Sequence, residues 1–221
     1  FSLTLEADGV EVFYSAKWQD ETVRNAWKPK FNISPGQYVP VVVNSSGRRI
    51  IKQMRWGLVP SWSPDEIIGT KLMNVRSETI DSKPSFKAAF EARRCLIPLD
   101  GFYEWSSAKI PYRVCSSGMK PFALAGIWER WKNPQGEILE TFSIVTKEAT
   151  SQISHIHSRM PVILKEEDFD FWLNEKEIDK ARLKRLLVKE FEEKLLAYAV
   201  SKLVNSAKVN DPRCILAAGE V

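Results

Sequence analysis

The sequence contains few cysteines, and their spacing does not suggest a disulfide framework or a metal site. Its 221 residues include three, Cys95, Cys115 and Cys214, which is an odd number without a CxxC pair. Only two histidines are present to supply further ligands. We therefore expect free, buried thiols in a reducing compartment, and neither a metal nor a cofactor.

The sequence also lacks long apolar runs and the common nucleotide-binding and hydrolase motifs. No run approaches the ~20 apolar residues of a membrane-spanning helix. The first four residues are too short to form the apolar core of a signal peptide. GxGxxG, GxxxxGK[ST] and GxSxG patterns are all absent from the sequence. We expect no membrane partner and no nucleotide loop of these kinds.

The composition is that of an ordinary globular chain, with 44% hydrophobic and 27% charged residues. No stretch has the composition of a linker, so we predict one domain over residues 1–221. The net charge of +4 permits an anionic partner but does not require one.

The hydrophobic pattern predicts an α+β fold of mostly antiparallel strands with peripheral helices. Alternating runs around an Asn-Ser-Ser-Gly turn predict a hairpin of residues 38–43 and 49–54. Helical spacing predicts short helices at 5–16 and 84–92, and two amphipathic helices within 166–196 joined near 174–179. Further strands are predicted at 95–98, 102–105, 111–115, 121–131, 138–146, 162–164 and 198–203.

Residues Asn74, Arg76 and Glu78 alternate within the segment NVRSET. On a strand they would share one face, where an arginine between Asn and Glu can hold a phosphate or a carboxylate. The pattern fits a solvated strand face at least as well, so the residues alone leave both interpretations open.

Two further segments carry groups suited to proton transfer. Glu104 lies in the aromatic stretch GFYEW, where desolvation would raise the pKa of its carboxyl group. A salt-bridged glutamate at a sheet edge is an equal alternative. His155 and His157 titrate near neutral pH, but both could be polar loop residues beside Pro161.

Aromatic side chains outside the expected core are candidates for contact with unpaired bases. Trp62 lies in a Pro/Ser-rich loop, and Phe86 lies near the start of a predicted helix. Exposed aromatic rings stack on bases. For Phe86 the alternative is that it packs its helix against the core.

Five segments in this order resemble the SRAP (SOS-response-associated peptidase) family. They are FNISPG (31–36), RWGLVPSW (55–62), NVRSET (74–79), RCLIPLDGFYEW (94–105) and HSRMP (157–161). The family has bacterial members and a vertebrate hydroxymethylcytosine-binding homologue. The resemblance implies the SRAP fold, with a barrel-like sheet, and a sensor of abasic sites in single-stranded DNA that acts in the DNA damage response.

Mature chains of that family begin Cys-Gly-Arg-Phe, and the present sequence begins at the Phe. The resemblance therefore places the reactive cysteine three residues before Phe1. An amino-terminal cysteine carries an amine that forms a Schiff base with an aldehyde and a thiol that then closes a thiazolidine ring.

The resemblance also assigns roles to individual residues. Glu104 and His157 would transfer protons, and Asn74 would hold the amine or the deoxyribose. Arg76 and Arg159 would bind flanking phosphates with help from Thr146 and Asn32, while Trp62 and Phe86 would contact bases. It implies a monomer in the bacterial cytoplasm, associated with the nucleoid during repair.

Two other functions stay open on the sequence. One is a thiol-dependent peptidase, whose activity would be limited to removal of its own initiator methionine. The other is a non-covalent reader of single-stranded or modified DNA, for which the basic charge and the aromatic residues are suited.

Overall fold

The computed structural model describes residues 1–177 and 179–219. The helices are α1 (Ala7–Tyr14), α2 (Glu21–Ala26), α3 (Pro84–Ala92), α4 (Phe169–Leu173) and α5 (Lys180–Val188). The strands are β1 (Lys17–Trp18), β2 (Tyr38–Ser45), β3 (Arg48–Trp56), β4 (Asn74–Arg76), β5 (Arg94–Leu99), β6 (Phe102–Trp105), β7 (Pro111–Ser116), β8 (Phe122–Lys132), β9 (Ile138–Glu148), β10 (Arg159–Pro161), β11 (Ile163–Leu164) and β12 (Leu195–Ala199).

Five strands form a closed barrel in the order β3-β2-β5-β8-β9. Neighbours along this path are antiparallel, and the ring closes through a short parallel pairing of β3 with β9, in which Arg55 lies opposite Thr141. The remaining strands of this sheet, β1, β4, β10 and β11, add to its edges. The expected α+β class with a barrel-like sheet and few helices is confirmed.

The hairpin of β2 and β3 shows how local sequence sets the register of the barrel. Its two turn residues, Ser46 and Gly47, have φ of 53° and 81°. Positive φ at both positions is the conformation that matches the right-handed twist of paired strands. The Asn44 side chain accepts a hydrogen bond of 3.0 Å from the Gly47 backbone N–H.

The barrel interior is apolar, and β5 is buried along its whole length. A smaller antiparallel sheet, in the order β12-β7-β6, lies beside the barrel. Its strand β6 follows β5 after Asp100 and Gly101, so the chain passes directly from the barrel to the small sheet. Residues of β6 therefore lie near those of the barrel, and line one cavity together with residues of β8 and β9.

The prediction for residues 166–203 is partly wrong. Helix α5 ends at Val188, and Phe191 and Leu195 lie beyond it although their spacing continued the helical pattern. Leu195 instead begins β12, which pairs with β7 and ends before the predicted strand 198–203 does. Both side chains are buried, so a loop and a strand reproduce the apolar spacing of a helix. Along the described ranges, no helix is long and apolar enough to cross a bilayer.

Candidate active site

A cavity of about 280 Å³ opens where the small sheet meets the barrel. Much of its wall is aromatic or aliphatic, and its polar lining includes Asn32, Asn74, Glu104 and Thr146. Phe1 also lines it, with its backbone nitrogen donating a hydrogen bond of 2.9 Å to the Ile33 carbonyl. The first residue of the chain and four of the predicted site residues therefore surround one space.

Glu104 lies on β6, where its side chain is 21% exposed. Burial raises the pKa of the Glu104 carboxyl group to about 7, against the opposing effects of His157 and the amino end of the chain. The carboxyl group is therefore close to half-protonated at neutral pH. It can serve as a proton donor in one step and as a proton acceptor in the next.

His157 lies at the edge of the cavity, with its Nδ1 3.7 Å from a Glu104 carboxylate oxygen. The backbone N–H of Arg159 donates a hydrogen bond of 3.1 Å to the same Nδ1. The Arg159 carbonyl lies 3.1 Å from the same Nδ1, so this nitrogen accepts from the Arg159 N–H in one tautomer and donates to the Arg159 carbonyl in the other. Because nearly half of the side chain is exposed, it can exchange protons with solvent.

Asn74 and Arg76 lie on β4, with both side chains exposed and Val75 buried between them. Their predicted common face is therefore confirmed. The strand ends at Arg76, so Glu78 lies in the following turn and not on that face as predicted. The local sequence alternates beyond the point where β4 stops pairing with β9.

Glu78 instead accepts two hydrogen bonds from Arg159, of 2.6 and 3.0 Å. These bonds lower the pKa of the Glu78 carboxyl group. Nη2 of Arg159 also donates to the Thr146 carbonyl at 2.9 Å. Arg159, Thr146 and Glu78 are thus brought together at the edge of the cavity.

The remaining predicted residues differ in exposure. Trp62 is 59% exposed, as expected for a ring that could stack on a base. Phe86 is 3% exposed and packs α3 against the core, so this placement does not support a role in base contact. Asn32 is buried and donates to the carbonyls of Val204 and Ser206, so its amide holds the segment after β12 and is not free for a phosphate.

The sequence did not indicate that Asp100 and Arg113 meet Ser2 at the start of the chain. The Asp100 carboxylate and the Arg113 guanidinium form a buried ion pair of 2.8 Å beside Ser2. The available signal was Arg113 itself, a charged residue within the otherwise largely apolar run of β7. Throughout 1–177 and 179–219, no three His, Cys, Asp or Glu side chains are grouped so that they could hold a metal ion.

Comparisons with known proteins agree with one another. The family model described as "SOS response associated peptidase (SRAP)" matches residues 1–207. The abasic site processing protein YoqW of Bacillus subtilis is 40% identical over 193 residues, which cover 86% of each chain. The abasic site processing protein HMCES of Rattus norvegicus is 32% identical over 91% of this chain and 68% of its own length.

A solved structure extends the similarity to the whole fold. A crystal structure of a Bacteroides thetaiotaomicron protein covers 98% of this chain and 98% of its own, with a TM-score of 0.89 and 30% sequence identity. The arrangement of barrel, small sheet and peripheral helices is therefore shared along nearly the full length.

Proposed function

The chain belongs to the SRAP family, and from that premise we propose that it senses and processes abasic sites in single-stranded DNA during the DNA damage response. Relatives that are 40% and 32% identical carry the name abasic site processing protein. The observation that carries the proposal is that Phe1 lines the same cavity as Glu104 and Asn74.

The proposed reaction is covalent capture of the opened sugar by a cysteine that precedes Phe1 in a Cys-Gly-Arg segment. The cysteine amine attacks the aldehyde carbon, and loss of water leaves a C=N bond. The thiol then adds to that carbon, and the proton of the thiol moves to the nitrogen as the thiazolidine ring closes. Residues attached to the nitrogen of Phe1 would start from the wall of the cavity, which supports this route.

Glu104 and His157 carry the proton transfers in this proposal. A carboxyl group with a pKa of about 7 protonates the leaving hydroxyl group and then accepts a proton from the amine or the thiol. His157, 3.7 Å away, exchanges protons between Glu104 and solvent. Asn74, exposed on β4 at the cavity, holds the amine or the deoxyribose by hydrogen bonds.

DNA on either side of the lesion is bound at the edge of the cavity. Arg76, exposed beside Asn74, binds a phosphate, and the exposed Trp62 stacks on a base. Arg159 takes part with Thr146, and a DNA phosphate competes with Glu78 for its guanidinium group.

The test uses the chain preceded by Cys-Gly-Arg and a single-stranded oligonucleotide with one abasic site. We expect a DNA adduct that survives denaturing electrophoresis without added reductant. A matched protein with serine in place of that cysteine should form no thiazolidine, because the ring needs the free amine and the thiol of one residue, and the nitrogens of Cys95, Cys115 and Cys214 are amides. Absence of an adduct, with the amino-terminal cysteine verified by intact mass, would refute the proposal.

A second, narrower activity is removal of the initiator methionine that would precede the cysteine. It is favoured by the same observation, because Glu104 lies in the cavity that receives the amino end of the chain. Intact mass should show retained methionine in Glu104→Gln and its removal in the unchanged chain. Equal processing of both proteins would assign this step to a cellular aminopeptidase.

A further inference from the structure

We infer that Asp100 and Arg113 form a clamp that aims the amino end of the chain at Glu104, and that both are positioning residues for the reaction. This inference rests on the function proposed above. It concerns a cluster of buried polar groups that the proton transfers do not use. The clamp consists of Asp100 and Arg113, and it holds residues 1–4.

The clamp binds the first residues of the chain through both oxygens of one carboxylate. Oδ1 of Asp100 accepts hydrogen bonds from the Ser2 hydroxyl group at 2.6 Å and from Arg113 Nη2 at 2.8 Å. Oδ2 accepts from the Thr4 hydroxyl group at 2.7 Å and from the Thr4 backbone N–H. Every contact on the chain side falls on residue 2 or residue 4.

Backbone hydrogen bonds fix the same segment from both sides. The N–H of Ser2 donates to the Gly101 carbonyl at 2.8 Å, and the N–H of Asp100 donates to the Ser2 carbonyl at 3.0 Å. Leu3 and Lys30 exchange two bonds of 2.8 Å. The segment from Phe1 to Thr4 is therefore held in one direction, and Phe1 at its start lines the cavity.

Burial makes a purely stabilising role a poor explanation for the charged pair. The side chains of Asp100 and Arg113 are 8% and 3% exposed, and Ser2 is fully buried. Removing two charges from water costs about as much as their attraction returns, and apolar residues of similar size are often as stabilising or more. What an ion pair adds is direction, because each oxygen accepts along fixed lines.

The clamp and Glu104 are built on the same hairpin. Arg113 lies opposite Tyr103 in the pairing of β6 with β7, and Glu104 is the next residue along β6. A Cβ atom at Gly101 would lie 2.7 Å from Arg113 Nε, so the turn can approach the guanidinium only as glycine. Arg113 is fixed on its other side by a 3.0 Å hydrogen bond to the Tyr198 hydroxyl group.

A rigid frame of this kind matters for a reaction in which the amine must meet an aldehyde carbon. A displacement of ~1 Å of a positioned group costs about 100-fold in rate. Without the clamp, residues 1–4 would still pair with the fold through their backbone, but the amine would no longer be held in a fixed orientation toward Glu104. It would therefore lower the rate of the chemical step and leave DNA binding unchanged.

The test measures single-turnover adduct formation by the chain preceded by Cys-Gly-Arg, at increasing concentrations of abasic single-stranded DNA. For Asp100→Asn we expect a maximal rate constant lowered by about 10- to 100-fold, with unchanged half-saturating DNA concentration and full final yield. The matched control is Glu129→Gln on β8, which weakens the partly buried ion pair between Glu129 and Arg93. It should lower the melting temperature without changing the rate constant.

Ser2→Ala provides a variant that keeps the ion pair and removes one anchor of the segment. It should slow the reaction less than Asp100→Asn, in the same parameter. This variant decides the matter if Asp100→Asn fails to fold. A reduced final yield with an unchanged rate constant in both variants would mean that the clamp only stabilises the fold.

The two proposals fail in distinguishable ways. If the unchanged chain with a verified amino-terminal cysteine forms no adduct, the proposed function is wrong. If it forms the adduct and Ser2→Ala and Asp100→Asn react at the same rate as it does, the function stands and the clamp is refuted. Intact mass of each variant confirms that the cysteine is the first residue in every comparison.

Discussion

The turn before the short strand β6 and the strand itself each contain a carboxylate, and the two carboxylates have opposite surroundings. Asp100, just before β6, is surrounded by donors from Ser2, Thr4 and Arg113. Glu104, within β6, has His157 at 3.7 Å as its ion-pair partner within the described ranges, and burial raises the pKa of its carboxyl group to about 7. In the roles proposed above, the carboxylate with many donors holds geometry, whereas the desolvated one with few partners exchanges protons.

The largest effect on the rate of adduct formation is expected from a change at Glu104, the carboxylate proposed to exchange protons. Glu104→Gln keeps the shape of the side chain and removes its proton chemistry. We expect the rate of adduct formation to fall by about 10²- to 10⁴-fold, which is the usual contribution of a general acid or base. Single-turnover kinetics on abasic single-stranded DNA measure it, and DNA affinity by fluorescence anisotropy should stay constant. An unchanged rate would place the proton transfers elsewhere.

The next largest effect is expected at the clamp, where the adduct rate and the melting temperature should respond differently to the loss of the ion pair. The double variant Asp100→Leu with Arg113→Met replaces the buried ion pair by apolar side chains. Because a lone buried charge costs about 3–5 kcal/mol, each single variant should melt lower than the double variant. The adduct rate of the double variant should nevertheless stay about 10- to 100-fold below that of the unchanged chain. Recovery of both stability and rate would show that an apolar contact positions the segment equally well.

A smaller effect is expected on DNA binding, and it compares an exposed aromatic ring with a buried one. Trp62→Ala removes an exposed ring, and stacking on a base contributes about 1–3 kcal/mol to binding. We expect weaker binding of single-stranded DNA and an unchanged melting temperature. Phe86→Leu is the matched control, since this buried ring should affect melting and not binding. Equal losses of affinity in both variants would contradict the assignment of Trp62.

How far the sequence predicts this molecule depends on the distance between interacting residues. The β2–β3 hairpin and α3 were predicted well, because a Ser-Gly turn with positive φ and a proline in the first helical turn act locally. The candidate residues Glu104, Asn74 and His157 were predicted from ordered motifs; Glu104 and Asn74 line one cavity, and His157 lies 3.7 Å from Glu104. In contrast, Ser2 and Asp100 are 98 positions apart, and nothing local indicates that they meet.

The errors have physical causes of the same kind. Phe191 and Leu195 matched helical spacing, but pairing with β7 converts the end of that run into a strand. For Phe86 the sequence left base contact and core packing open, because a position near a helix start does not show which face is covered, and its burial favours packing. Closure of the barrel through β3 and β9 likewise depends on a pairing between distant segments.

The smallest expected effect is on the free energy of unfolding and again concerns Glu104. Burial of the ionised Glu104 carboxylate destabilises the fold, whereas hydrogen-bond donors compensate for the burial of Asp100. The pKa of Glu104 is raised from 4.5 to about 7, so the folded state binds the proton more tightly than the unfolded chain. Its contribution to stability is fully present below pH 4.5 and is lost as the pH rises through about 7.

Glu104→Gln imitates the protonated form and should therefore raise the free energy of unfolding at pH 8. We expect a gain on the order of 1 kcal/mol, or ~2–4 °C in melting temperature. At pH 5 the gain should be much smaller, and it should vanish below pH 4.5, where Glu104 is protonated in the folded and the unfolded state alike. Thermal unfolding at the two pH values measures it, with Glu140→Gln as a control carboxylate that is paired with Lys52. A gain that is equal at both pH values would mean that the amide improves packing and that Glu104 is ionised throughout. The contrast between a holding and an exchanging carboxylate would then have to rest on the kinetics alone.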